Sequence, residues 1–207
     1  VSPQLIISPN GTSGINFRGK MAHHQQGNLG GGFSLFTGNC SGAEACIGIG
    51  AACARQWPQK GFHLALTYST NLEARNMLVK ELRSSQPAAD GADALRISIH
   101  QVDVASADQI QTMFAQIDKE HGQRPDILVS NAGYGKRIPQ VWDISLEAFD
   151  YTINVNLRAS FILVKGVVDH MREQRWGRIV FMSSIAGYGG GINGCRKCMN
   201  LYPRPEA

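Results

Sequence analysis

The sequence predicts an α/β fold with a doubly wound parallel sheet. Two observations carry this. From Phe33 onward, short apolar runs alternate five times with helix-period patterns, as parallel strands joined by crossover helices do. Directly after those runs stand Gly, Ser, Asn and Asp, at the strand carboxyl ends where an open parallel sheet forms its ligand crevice.

The elements follow in order. FSLFT (33–37) reads as the first strand. IGIGAACARQWPQKG opens with a glycine turn and runs on as a helix; Pro58 breaks it, having no N–H and clashing with the preceding turn. FHLALTY (62–68) is the second strand. In NLEARNMLVKELRSS, Leu72, Arg75, Leu78, Val79 and Leu82 recur at helical spacing. LRISIHQV (95–102) alternates and reads as the third strand. Ser106 and Gln109 form a capping box, and Ile110, Phe114 and Ile117 carry that helix to a stop at Gly122. DILVS (126–130) is the fourth strand. Residues 145–175 form the longest helical region, with Phe149, Ile153, Leu157, Phe161, Val164 and Val168 along one face. RIVFMSS (178–184) is the fifth strand.

Composition narrows the function. The 207 residues suffice for one domain with a core, and 43% hydrophobic with 17% charged residues fits a globular protein. The net charge of +4 is scattered, with no Lys/Arg run for nucleic acid. No apolar run reaches membrane-spanning length. The five cysteines, Cys40, Cys46, Cys53, Cys195 and Cys198, are odd in number and irregular in spacing. They fit free thiols in a reducing compartment, so the expected location is cytoplasmic, with mitochondrial as the alternative. Cys195 and Cys198 have no second ligand pair, so no metal site is expected. Residues 1–32 are rich in Gly, Ser, Asn and Gln, with no acidic residue before Glu44. They read as a disordered leader, a fragment edge or a mis-assigned exon.

The strand ends supply the candidate site. Thr37 and Gly38 follow the first strand, then come Gly48, Ile49 and Gly50. Glycines there let backbone approach a pyrophosphate, to which a helix N-terminus offers N–H donors. Asp103 and Val104 follow the third strand; Asn131, Ala132 and Gly133 the fourth; Ser183 and Ser184 the fifth. After the second strand stand Ser69, Thr70 and Asn71, with no acid before Glu73. A carboxylate at that point would favour NAD over NADP. Hydroxyl and amide groups there, aided by Arg55 or Arg75, instead favour NADPH, with NAD as the alternative; capping of the next helix is the other role open to Ser69, Thr70 and Asn71.

With NAG at 131–133, NVNLRASF at 154–161 and GRIVFMSSIAG at 177–187, the chain resembles the short-chain dehydrogenase/reductase family. It looks most like the members related to 3-oxoacyl-(acyl-carrier-protein) reductase, over roughly Phe33 to Gly194. The resemblance implies a Rossmann-like fold. It implies an oxidoreductase that reduces a carbonyl, in a 3-oxoacyl thioester or related ketone, to an alcohol with NADPH. It implies Asp103 at the adenine and Asn131, Ala132 and Gly133 steadying the sheet beside the cofactor. Asn156 would hold a water of the proton relay, and Ser184 would hydrogen-bond the substrate carbonyl. It also implies a homo-oligomer built through the long helix and a Tyr/Lys-bearing helix.

Two departures stand out. Nine residues (39–47) separate Gly38 from Gly48, six more than the family's glycine loop holds. The family also carries a Tyr about thirteen residues after its Ser and a Lys four later; the Lys lowers the Tyr pKa for proton donation. Here those positions hold Lys197 and Leu201. Cys-Arg-Lys-Cys (195–198) can be encoded TGC-CGT-AAG-TGC, which contains GTAAGT, a consensus splice donor. Residues 195–207 are therefore expected to be a non-family tail, with 196–207 as translated intron, and the sheet to be incomplete at its C-terminal end. The alternative function is a truncated, inactive dinucleotide-binding remnant. A flavodoxin-like signalling domain is disfavoured, because no acidic cluster stands at the strand ends.

Overall fold

A computed structural model of the chain describes residues 32–37, 48–58, 62–85, 95–136, 138 and 140–184. Five parallel strands, β1 (Phe33–Thr37), β2 (His63–Tyr68), β3 (Ile97–Gln101), β4 (Ile127–Ser130) and β5 (Arg178–Phe181), form one sheet in the order β3-β2-β1-β4-β5. The five predicted strands are all present. In β1, β2 and β4 every residue is buried, as expected of strands covered on both faces. β3 and β5 lie at the sheet's edges and show mixed burial. Register is direct: Leu35 lies between Ala65 and Leu128, and Phe36 between Leu66 and Val129.

Helices cover both faces. α1 (Ile49–Gln56) and α2 (Leu72–Ser84) bury Ala51, Ala54, Leu78, Val79 and Leu82 on one side, with Phe36, Leu64, Leu66 and Val129. On the other side α3 (Ala107–His121) and α5 (Ala159–Glu173) bury Ile110, Phe114, Ile117, Leu163, Val167 and Met171 against Leu35, Ala65 and Leu128. Each fully buried Leu, Ile or Phe contributes about 1.5–3 kcal/mol relative to an exposed one.

The helix ends have local causes. Asn71 caps α2, its side chain accepting the Ala74 N–H at 2.9 Å. Ser106 caps α3 through the Gln109 N–H at 3.3 Å. The return arm of the expected capping box goes elsewhere: Gln109 Oε1 accepts the Asp103 N–H at 2.8 Å, tying the end of β3 to α3. Gly122 ends α3 at φ 74°, where a side chain is unfavourable. Ser145 caps α4 (Leu146–Ile153), which runs through a π-helical segment, Asn154–Arg158, into α5.

No residue of the row Phe149, Ile153, Leu157, Phe161, Val164, Val168 is fully buried, and Leu157 and Phe161 are 49% and 63% exposed. The buried row is Thr152, Val155, Ala159, Leu163, Val167 and Met171. On α2, Leu72 is exposed while Arg75, Leu78, Val79 and Leu82 are buried. Leu72 is the first residue of the helix and is 46% exposed.

Candidate functional site

β1 and β4 are neighbours, but the chain leaves them toward opposite faces, to α1 and to α4. Parallel sheets open a crevice at such a divergence. Thr37 spans it: its hydroxyl donates to Val129 O at 3.3 Å and accepts the Asn131 N–H at 3.1 Å. That N–H also reaches Thr37 O at 3.2 Å.

α1 starts beside this bridge. Its N-cap, Gly48, is extended and offers no side-chain cap, so the first-turn N–H groups have no side-chain acceptor from that residue. A Cβ on Gly48 would meet none of the described residues within 4 Å. On Gly50 it would come within 2.8 Å of Asn131 Nδ2, so glycine is what lets α1 lie against Asn131. Ile49 is exposed at the helix start. An uncapped helix start with open space at its N-cap fits a diphosphate. Gly38, Cys40 and Cys46, and with them the six extra residues of the glycine loop, lie outside the described residues.

Asn156, in the π-helical segment, fastens the loop after β4. Its Oδ1 accepts the Tyr134 N–H at 2.7 Å, and its Nδ2 donates to Tyr134 O at 2.9 Å. The amide thus holds a loop backbone 22 residues away in sequence, a structural role beside the expected water relay. A π-turn widens the helix by one residue and often marks a functional position. Ala132 is half-buried against the core, and Gly133 is exposed, its added Cβ only 3.6 Å from Asn156 Oδ1.

Two tyrosines that sequence reasoning missed stand here. Tyr134 and Tyr151 meet edge to face, with centroids 4.8 Å apart. Burial raises the Tyr151 hydroxyl pKa, and the Asp103 carboxylate and Tyr134 raise it further; it remains a neutral donor at neutral pH. The one available signal was that Tyr134 directly follows the NAG stretch. Asp103 Oδ1 accepts the Ala105 N–H at 3.0 Å, shaping the turn out of β3, and Val104 is buried.

At the end of β2, Ser69 is half-buried and Thr70 exposed. Ser69 O accepts from Gln101 Nε2 at 3.0 Å. Both arginines expected to assist there are engaged. Arg55 holds Glu81 with Nε and Nη2 at 2.7 and 2.9 Å, and that guanidinium lowers the Glu81 pKa. Arg75 is buried and its Nη2 donates to Thr67 O. The Asn71 amide is the α2 cap. At the end of β5, Ser183 and Ser184 are half-buried, and Ser183 Oγ is buried with no hydrogen-bond partner among the described residues. Ser130 and Ser160 hydroxyls link β4 to α5 at 2.9 Å. Lys197 and Leu201 lie outside the described residues.

Comparison with known proteins decides the family. The short chain dehydrogenase family matches residues 42–196. The chain belongs to the short-chain dehydrogenase/reductase family. The family works with nicotinamide dinucleotides on small molecules. A 3-oxoacyl-(acyl-carrier-protein) reductase of Staphylococcus aureus is 30% identical over 146 residues, 70% of this chain and 55% of that protein. The Rickettsia bellii reductase of the same name is 32% identical over 170 residues, 82% of this chain and 61% of that protein. The chain thus spans little more than half the length of these curated relatives. Among solved structures, the L-sorbose reductase of Gluconobacter frateurii, complexed with NADPH and L-sorbose, superposes with a TM-score of 0.69 at 22% identity. It covers 82% of this chain, which covers 58% of it. A metagenomic short-chain oxidoreductase in complex with NADP gives 0.68 at 27% identity, covering 80% and 68%. The described residues contain no helix long and apolar enough to cross a membrane.

Proposed function

We propose that this chain carries the dinucleotide-binding half of an NADPH-dependent oxidoreductase that reduces a 3-oxoacyl thioester or related ketone to an alcohol. The observation that carries the reading is the crevice between β1 and β4, with an uncapped α1 start against Asn131. When bound, the reduced nicotinamide supplies the hydride equivalent. The residues of the chain bind and orient. The first-turn amides of α1 hold a diphosphate, and Thr37 with Asn131 keeps the crevice floor rigid. Asp103 and Val104 border the adenine. Ser184 donates its O–H to the substrate carbonyl oxygen.

With Arg55 on Glu81 and Arg75 on Thr67 O, choice between the dinucleotides falls to the Ser69 and Thr70 hydroxyls and the α2 N-terminus. One or two hydrogen bonds to a charged phosphate are worth about 1.5–3 kcal/mol each at most; exposure at Thr70 cuts this to a roughly tenfold preference for NADPH. Titrating NADPH and NADH into the protein tests it. Tighter NADPH, reduced by Thr70→Asp, supports the reading; equal affinities or tighter NADH overturn it. The reading of the chain as a non-catalytic remnant is favoured by one observation, Lys197 and Leu201 where the family places Tyr and Lys. Binding of NADPH without turnover selects it.

A further inference from the structure

The sheet face covered by α3 and α5 holds a cluster the proposed reaction does not use. Four of the chain's six histidines contribute to it: His63 at the start of β2, His100 near the end of β3, His121 at the end of α3 and His170 on α5. His63, His100 and His121 are buried, at 5%, 2% and 7% exposure. His170 differs, donating to the Asp126 carboxylate at 3.0 Å.

Ser98 lies between two rings. His100 Nε2 and His121 Nε2 each stand 2.8 Å from its hydroxyl. His100 Nδ1 is 3.0 Å from Gln116 Oε1. A carbonyl oxygen only accepts, so His100 carries its proton on Nδ1 and its Nε2 accepts the Ser98 O–H. The hydroxyl has one proton, so it must accept from His121 Nε2–H. That leaves His121 Nδ1 a bare lone pair, buried and without a hydrogen-bond partner among the described residues. The His121 ring stacks on Phe33 with centroids 4.0 Å apart.

We propose that Ser98, His100 and His121 form an acid-opened latch that holds β3 and α3 to the sheet at neutral pH. A proton on His121 Nδ1 creates a buried cation whose new N–H has no acceptor among the described residues. Such an orphaned charge is costly. The surroundings add to the cost. The groups acting on His121 are Arg96, His63 and His100, cations or potential cations. His63 Nδ1 takes the Arg96 N–H at 3.1 Å, and its pKa is lowered by burial and by Arg96. Asp126, the carboxylate bound to the Phe33 N–H at 2.9 Å, is held by His170. No carboxylate among the described residues hydrogen-bonds the three rings. Burial, then Arg96, His63 and His100, push the His121 pKa down to about 4. The sign follows. The latch is at full strength above the ordinary histidine value and weakens as the pH falls below it. Because β3 is an edge strand, it can leave without breaking the β2-β1-β4 centre. With it go Asp103 and Val104 at its carboxyl end.

Amide hydrogen exchange at pH 7.5 and pH 5, corrected for intrinsic rates, tests the proposal. If opening returns His121 from about 4 to the ordinary 6.5, β3 and α3 amides lose roughly 30-fold in protection by pH 5. Leu35, Leu128 and Val129, in β1 and β4, keep theirs. His121→Phe retains the ring against Phe33 and abolishes the acid-selective loss. Equal loss in all strands, no loss at pH 5, or the same loss in His121→Phe overturns the latch. If that variant does not fold, the wild-type His121 Cε1–H titration decides. A midpoint well below 6.5 that coincides with β3 release supports the proposal; titration at 6.5 with β3 still protected overturns it.

Discussion

Asn156→Ala is the sharpest test of how the crevice is built. Asn156 makes two bonds to one residue, accepting the Tyr134 N–H at 2.7 Å and donating to Tyr134 O at 2.9 Å. Both partners are half-buried. A net hydrogen bond is worth about 1 kcal/mol, and a backbone group left without a partner adds its desolvation cost, so the loss should be about 2–3 kcal/mol. The π-helical segment is expected to relax toward ordinary helix, since nothing else among the described residues requires its extra width. Asn154→Ala, in the same segment, is the control; among the described residues its side chain makes no hydrogen bond across to the loop, and the change should alter stability by less than about 0.5 kcal/mol. Urea denaturation read by circular dichroism compares the two, with the slope checked for constancy. Asn156→Asp adds a second readout. Its carboxylate still accepts the Tyr134 N–H but opposes Tyr134 O, and protonation restores a donor. This carboxyl's pKa is raised in the folded state, so the variant should regain stability as the pH falls through the carboxyl range. Equal stabilities for Asn156→Ala and Asn154→Ala would refute the pinning argument.

Two further outcomes follow from the packing. Gly166→Ala places a Cβ 2.1 Å from Phe114 Cε2, in the buried contact between α3 and α5. The expected loss is about 1–3 kcal/mol in thermal or urea unfolding despite the better helix propensity of alanine, and a stabilised variant would contradict the packing. Leu157 and Phe161 expose a row of apolar surface, so the purified chain should self-associate, and Leu157→Ser with Phe161→Ser should reduce this in light scattering. A monodisperse wild-type monomer would count against it.

Much of the architecture is set locally and could be read from the chain. The continuous apolar runs of β1, β2 and β4 follow from burial on both faces, and Ser106, Asn71 and Gly122 act on backbone groups within a few residues. The polar residues at the carboxyl ends were legible for the same reason: strand direction alone puts them on one edge. What needed the tertiary structure involves partners far apart in sequence. Asn156 and Tyr134 are 22 residues apart, and Thr37 and Asn131 are 94 apart. Residues 146–173 carry two apolar rows of the same period, and periodicity does not say which one the sheet takes. In β3, alternation separates Ile97 and Ile99 from Ser98 and His100, yet it is the polar pair that is fully buried. Their burial depends on His121 and Gln116 arriving from α3 to satisfy them. Arg55 and Arg75 are cations near the β2 end in sequence, and in the fold Glu81 and Thr67 O hold them. Period and capping act over one or two turns of chain; the choice among faces and partners is made by the whole fold, where each buried polar group must find a mate.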